Sequence, residues 1–582
     1  MGAKITVGEY LLLRLHEIGV RHIFGVPGDF NLPFLEQILT FDGLEWVGNC
    51  NELNAAYAAD GYARVNGVSA LLVTYGVGDL SALNGVAGAN AEHVPLVCIS
   101  GLPPLRSIKN REILHHTSGT GDFEDVMTCM SQFTAAKARI TPANAAVEID
   151  RLLLTCMREK RPVYLQLPCD VVFLMVEAPS GALEQYAVGV DEQQVELVAD
   201  LISRKMSAAR RPALLVDVDA HRFHLRSSIL SLLECCSIPF ASMASGRGTL
   251  DEQHPLYCGI YAGASSAEET RATIEGSDCL LMVGVRFFDA TTSFFHTNLR
   301  VENSILLEPF SARIADRVYE GVTAAAVLKS LRHKFDCMCR EQGKAAMESE
   351  AAAIAPVYTV EGFGGSRKLT HQRLWPRIAG FLRKRDLIVS EVGCAQAGMS
   401  MIRLPADTVY LNQTTWASIG YSLPAFLGAS IAAPSRRQML FIGDGSLQVT
   451  AQELSTMLRQ NLDPIIFVIN NNGYTIERMI LGPQSAYNDI QPWRYADLPG
   501  IFAGGKAVRS YKASTEGELA DVLNKVEAER AFTIVELVLD ELDAPPGLSK
   551  MGPEAAEYNF GERGPQRSGA SIAGKSAGDR IL

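Results

Sequence analysis

Along almost the whole chain, short apolar runs rich in Val, Ile and Leu alternate with stretches of helical period. Apolar runs this short, bounded by turn residues, read as strands buried on both faces, which is the signature of a parallel sheet covered by helices. They fall at 69–74, 96–100 and 163–167, then at 212–217, 279–283 and 303–308, then at 386–390, 438–442, 464–469 and 531–537. The pattern predicts an α/β chain of three doubly wound parallel-sheet domains. Their expected bounds are about 1–185, 195–345 and 366–545, with a C-terminal segment and mobile tail over 546–582. A polar connector at 182–194 and an Ala/Glu-rich one ending in Gly362-Phe363-Gly364-Gly365-Ser366 separate the three blocks. No short internal repeat is visible, which leaves open a shared fold for the first and third blocks.

Composition narrows the class. The chain has 582 residues, 47% apolar and 20% charged, which excludes wholesale disorder, collagen-like repeats and a coiled coil. Its net charge is −12, and the longest basic runs are Arg210-Arg211 and Arg383-Lys384-Arg385, so no nucleic-acid partner is expected. The 12 cysteines, with Cys235-Cys236 and Cys337/Cys339 off zinc spacing, read as reduced and mostly buried. No apolar run reaches 18 residues, so no membrane span is expected. The N-terminus enters an amphipathic pattern without a basic and apolar leader, and the expected location is cytoplasmic. Met1–Thr6 fits the short myristoylation pattern, one that chance produces often.

The most specific signal lies in the third block. An apolar strand runs into Gly443-Asp444-Gly445-Ser446, and a helix with Leu447, Leu454 and Leu458 on one face follows. A Gly-rich strand-to-helix turn lets backbone N–H groups approach a phosphate. The next strand ends in Asn470-Asn471-Asn472-Gly473. Adjacent parallel strands end on one sheet edge, so Asp444 and the asparagines should sit side by side. A carboxylate, an amide oxygen and a carbonyl are the hard ligands Mg²⁺ accepts beside a diphosphate. Each segment alone is equally a tight turn.

Taken together, with 27 residues from Asp444 to Asn471, they resemble the diphosphate-and-metal motif of thiamine diphosphate enzymes. Through nearly the whole chain the resemblance is closest to the pyruvate/indolepyruvate (2-keto acid) decarboxylase family. It implies thiamine diphosphate and Mg²⁺ as cofactors, held in an N-terminal pyrimidine-binding, a central and a C-terminal diphosphate-binding domain. It also implies metal ligands Asp444, Asn471 and the Gly473 carbonyl, with Gly443, Gly445, Ser446 and Tyr474 at the cofactor.

The same resemblance assigns the chemistry. Glu52 opens an Ala-rich helix, where an acid also suits the helix dipole. The family reading makes it the proton-exchanging partner of the aminopyrimidine ring. Asp29, in Gly25-Val26-Pro27-Gly28-Asp29-Phe30, is otherwise a turn former, and His115-His116 is otherwise a pair of loop residues. The matching family segments place these three beside the thiazolium for proton transfer, a task suited to His near neutrality. Acetolactate-synthase-like relatives lack the His pair, which favours decarboxylation over carboligation. Glu477 would face the substrate carboxylate. Ile419 would wedge between the two cofactor rings, and the Ala417 carbonyl would take the exocyclic amine; ordinary core is the alternative for Ile419.

The pocket departs from pyruvate-specific members, which line it with bulky aromatics. The matching positions hold Ala290 and Gln396, and Met551 falls where another Trp is expected. Val392, Ile476 and Ile480 complete the expected wall, and Cys394 replaces a polar residue near the diphosphate. An enlarged cavity predicts a large 2-keto acid such as indolepyruvate or phenylpyruvate. The alternatives are a pyruvate decarboxylase, a carboligating synthase and a fold relative without catalysis. The resemblance further implies a homodimer or homotetramer, with the first block of one chain facing the third block of another.

Overall fold

The structure is a computed structural model that describes residues 3–183, 189–342, 347–348 and 360–561. Residues 1–2 of the acylation pattern, parts of both connectors, the side chains of Cys337 and Cys339, and the tail beyond 561 lie outside the described residues.

The first sheet has six parallel strands in the spatial order Glu45–Gly48, His22–Gly25, Ser69–Thr74, Leu96–Leu102, Val163–Pro168, Ala136–Arg139. The inner strands Ser69–Thr74, Leu96–Leu102 and Val163–Pro168 are buried at every position, which explains their unbroken apolar runs. The third sheet is also six parallel strands, in the order Val409–Leu411, Leu387–Ser390, Gln438–Gly443, Ile465–Asn470, Thr533–Val538, Arg509–Ala513. Numbered by chain order within each sheet, both read 2-1-3-4-6-5. The first and last blocks therefore share one topology that no short repeat betrays.

The central sheet differs from the all-parallel expectation. Tyr257–Tyr261, Phe240–Met243, Pro212–Val216, Cys279–Val283 and Ser304–Glu308 are parallel, but Ser311–Ile314 and Arg317–Glu320 add an antiparallel edge. Only Pro309 and Phe310 separate Ser304–Glu308 from Ser311–Ile314, enough for a hairpin and far too few for a crossover. These two strands are mostly half-buried or exposed, so they lack the apolar run that marks a buried strand.

Two further elements were not legible. The helix expected after Gly443-Asp444-Gly445-Ser446 is broken into Asp444–Thr450 and Glu453–Arg459. A C-terminal helix, Pro546–Phe560, forms despite Gly547, Gly552 and Pro553. Its support is tertiary: Gly552 packs against the Met479 backbone, and the Tyr558 ring lies 5.5 Å from that of Phe294.

One contact fixes the first and third sheets to each other. Helix Glu52–Asn66 crosses helix Ser422–Ala432 so closely that a Cβ on Gly61 would lie 2.0 Å from the Ala425 carbonyl oxygen. A Cβ on Gly428 would lie 1.8 Å from that of Ala58. Beside this crossing the buried Arg64 pairs with Asp60 and donates to the Asn412 carbonyl at 2.7 Å.

Candidate active site

The carboxyl edges of the first and third sheets carry nearly all the residues singled out above. In an open parallel sheet this is where ligands bind, because the loops there converge from adjacent strands.

Four neighbouring strands build the first edge. His22–Gly25 turns into Asp29, and Glu45–Gly48 leads to Asn51. The Asn51 side chain accepts the Asn54 amide at 2.8 Å, capping helix Glu52–Asn66 and setting Glu52, half-buried, in its first turn. The loop after Leu96–Leu102 delivers the His pair. His115 Nε2 lies 2.8 Å from Asp29 Oδ2, and His116 Nε2 lies 3.9 Å from Asp29 Oδ1. The Phe30 ring stacks on His115 with centroids 4.9 Å apart. At the end of Ser69–Thr74, Gly76 has φ 71°, and a Cβ there would sit 1.8 Å from the His116 carbonyl oxygen. Only glycine lets the strand end pass beneath the His pair. Two imidazoles thus face one carboxylate.

The third edge holds the oxygen donors. Asp444 is buried, its Oδ1 accepting the Gly445 amide at 2.8 Å and its Oδ2 the Gly473 amide at 3.1 Å. Burial pushes this carboxyl up to about 6, against the backbone N–H groups that hold it down. A buried carboxyl so disfavoured in its charged form is one that a divalent cation would stabilise. Asn471 is buried, and its Nδ2 donates to Cys394 Sγ at 3.5 Å, which turns Oδ1 away from the thiol. Burial and the Asp444 charge push that thiol up to about 12, so it is neutral. The Gly473 carbonyl accepts the Thr475 amide at 3.2 Å and keeps a second lone pair. Gly443 precedes open space, Ser446 is buried, and the Tyr474 ring lies against Gly445.

The remaining candidates flank this edge. Ile476 and Ile480 are half-buried on helix Thr475–Ile480, which also carries Glu477, exposed. Val392 and Gln396 are half-buried after Leu387–Ser390, and a Cβ on Gly393 would lie 4.0 Å from the Ile476 side chain. Ala417, at φ 51°, and Ile419 lie on the loop after Val409–Leu411. Ile419 is 41% exposed and Trp416 36%, so neither is ordinary core. Ala290 is exposed on a central loop whose Phe294 and Phe295 rest on Tyr558 of the C-terminal helix. That helix, carrying Met551, is its link to the Ile476 side. Among the described residues, no hydrogen bond or ion pair joins the Asp29, Glu52 and His115 side chains to those of Asp444, Asn471 or Glu477.

Three supporting residues were not found from sequence. Asp79 is buried and accepts the Gly76 amide at 2.9 Å and Ser100 Oγ at 2.8 Å, holding the turn under the His pair; burial pushes it up to about 7. It reaches back from the first helical turn to the Gly76 amide, and with glycine at the cap the Ser/Thr-x-x-Glu signature that would flag it in the sequence is missing. Arg478 is buried and donates to the Asn472 carbonyl at 3.2 Å, the Pro483 carbonyl at 3.0 Å and Asp489 at 2.8 Å. It ties the Asn471–Gly473 turn to the segment beyond. Replacing Arg478 with Met removes charged hydrogen bonds worth about 1.5–3 kcal/mol each. We expect at least about tenfold weaker cofactor binding, measured by titration calorimetry. Glu391 is the third.

The comparisons with known proteins fit this geometry. The chain matches the thiamine pyrophosphate enzyme family in three parts: the N-terminal TPP binding domain over residues 5–126, the central domain over 198–331 and the C-terminal TPP binding domain over 391–537. It is a thiamine-diphosphate enzyme. Similar proteins include the alpha-keto-acid decarboxylase of Mycobacterium leprae (strain TN), 39% identical, covering 96% of this chain and 97% of that protein. The pyruvate decarboxylase of Aspergillus fumigatus is 38% identical, covering 95% of this chain and 98% of that protein. The chain belongs to the thiamine-diphosphate-dependent 2-keto acid decarboxylase family, and it is a carboxy-lyase. Among the described residues no helix is long and apolar enough to cross a membrane.

Proposed function

We propose that this decarboxylase acts on a bulky 2-keto acid, indolepyruvate or phenylpyruvate, with Mg²⁺ anchoring the cofactor diphosphate and with sites completed between two copies of the chain. The observation that carries the reading is the split of the machinery. Proton-carrying groups occupy one sheet edge and oxygen donors the other, with exposed Ile419 on a loop that Thr450 fastens to the helix beginning at Asp444. A second copy presenting its Asp29, Glu52 and His pair to this edge would cover that side chain.

In the reaction the bond between keto carbon and carboxylate breaks, carbon dioxide leaves, and a proton takes its place to give the aldehyde. Bound thiamine diphosphate supplies the nucleophilic carbon and the electron sink. The chain's part is to place and protonate. Asp444, Asn471 and the Gly473 carbonyl would hold the cation, and Ser446 and the Gly445 amide the diphosphate. Ile419 and the Ala417 carbonyl would fix the bend of the cofactor, and Glu52 would exchange a proton with its pyrimidine. His115, His116 and Asp29 would deliver the product proton, and Glu477 would disfavour the substrate carboxylate.

The small residues Ala290 and Gln396, with Val392 and Met551, support the large substrate, since each absent ring leaves space only a bulkier side chain fills. The test is the ratio of specificity constants for indolepyruvate over pyruvate, followed through a coupled alcohol dehydrogenase. We expect about tenfold or more in favour of indolepyruvate, given ~1–3 kcal/mol per well-filled methylene. A ratio below one means other residues refill the pocket and the chain is a pyruvate decarboxylase.

A further inference from the structure

The loop that carries Ala417 and Ile419 has almost no backbone ladder of its own. Its amides are held by side chains. Glu92 Oε1 accepts from Thr415 and Trp416 at 2.7 and 3.1 Å, and Gln413 Oε1 accepts from Ser418 at 3.0 Å. The far end rests on one carboxylate oxygen. Glu391 Oε2 accepts the Gly420 amide at 3.2 Å, the Ser422 amide at 3.3 Å and Ser422 Oγ at 2.8 Å, while Oε1 accepts the Val392 amide at 3.1 Å. Glu391 is 1% exposed. The Gly420 carbonyl is taken by Thr450 Oγ1 at 2.8 Å, which fastens the same turn to the helix that begins at Asp444.

From this bridge we infer that Glu391 is a positioning residue: its carboxylate sets the turn that presents Ile419 and the Ala417 carbonyl to the cofactor, and locks that turn to the Val392 wall. The inference rests on the cofactor placement proposed above. A neutral, apolar filler of the same volume would leave four donors unpaired in the interior, which buried polar groups do not tolerate cheaply. A carboxylate is the group that accepts on both oxygens; the amide of Gln accepts on one side only.

The test compares Glu391→Gln and Ser422→Ala with the unaltered chain, each with thiamine diphosphate and Mg²⁺. The readouts are cofactor affinity by titration calorimetry, kcat and KM for the 2-keto acid, and the melting temperature without cofactor. We expect Glu391→Gln to weaken cofactor binding and lower kcat by about tenfold each, with KM within about twofold, since the lost interaction acts through the turn and not on the substrate. Ser422→Ala, missing one of four donors, should weaken binding by about threefold with an unchanged melting temperature. Unchanged affinity and kcat in Glu391→Gln overturn the inference, as does a loss that follows the melting temperature alone. If Glu391→Gln does not fold, unchanged affinity in Ser422→Ala overturns it. A chain that binds the cofactor but releases no aldehyde sinks the substrate reading and leaves this comparison intact.

Discussion

Glu52→Gln lowers kcat by about 10³ while thiamine diphosphate affinity stays within a few-fold; this is the largest effect we expect from a single change. Gln keeps the shape of Glu52 and one acceptor oxygen, so contacts that only hold the ring survive. It cannot trade a proton. The competing role for this residue is electrostatic, since Glu52 sits in the first turn of its helix. That role is worth about 0.3–1 kcal/mol of stability and predicts a small drop in melting temperature with normal turnover. Steady-state kinetics at saturating cofactor, beside calorimetric affinity, separates the two. Normal turnover would leave Glu52 a helix-capping acid and remove the proton-exchange step from the mechanism.

Asp444→Asn acts on the other edge, and on cofactor binding far more than on folding. It keeps an acceptor oxygen for one of the Gly445 and Gly473 amides, turns an amide NH₂ toward the other, and loses the carboxylate charge proposed to hold the cation. Mg²⁺-dependent cofactor affinity should fall by about 10², as for a lost charge-assisted partner worth ~3 kcal/mol. The melting temperature of the cofactor-free chain should change little, because relief of the buried carboxylate offsets the backbone amide left facing Nδ2. Calorimetry with and without a chelator, and thermal scans of the cofactor-free chain, read the two effects separately. Equal affinity with and without Mg²⁺ in the unaltered chain would remove the metal from the site.

What the sequence revealed follows from how each feature is encoded. Strands buried on both faces, such as Ser69–Thr74 and Gln438–Gly443, carry unbroken apolar runs and were read directly. The half-solvated hairpin Ser311–Glu320 carries no such run, so the mixed central edge was missed. The helix Pro546–Phe560 was missed because its support comes from packing on Thr475–Ile480 and Phe294, not from its own residues. Among the candidate residues, those in dense local motifs around Asp444 and Asn471 were found by spacing. Glu391, Asp79 and Arg478 were not, because their partners lie in other loops and their role exists only once the chain is folded. The shared 2-1-3-4-6-5 order was invisible for a related reason: topology is set by which strands pair, and unrelated apolar runs satisfy the same pairing.

The crossing at Gly61 and Gly428 bears on motion. Two helices whose backbones touch with no room for a methyl group resist sliding, so this crossing disfavours movement of the first sheet against the third within one chain. For a site completed between two copies, substrate entry and product escape would then need movement between the copies or a gate at the rim. The pieces light enough to serve are peripheral: the segment around His115 and the helix Pro546–Phe560, which is joined to the third sheet through Asp540–Pro545. The pace of the catalytic cycle would then be set at the rim of the cleft, with its floor held still.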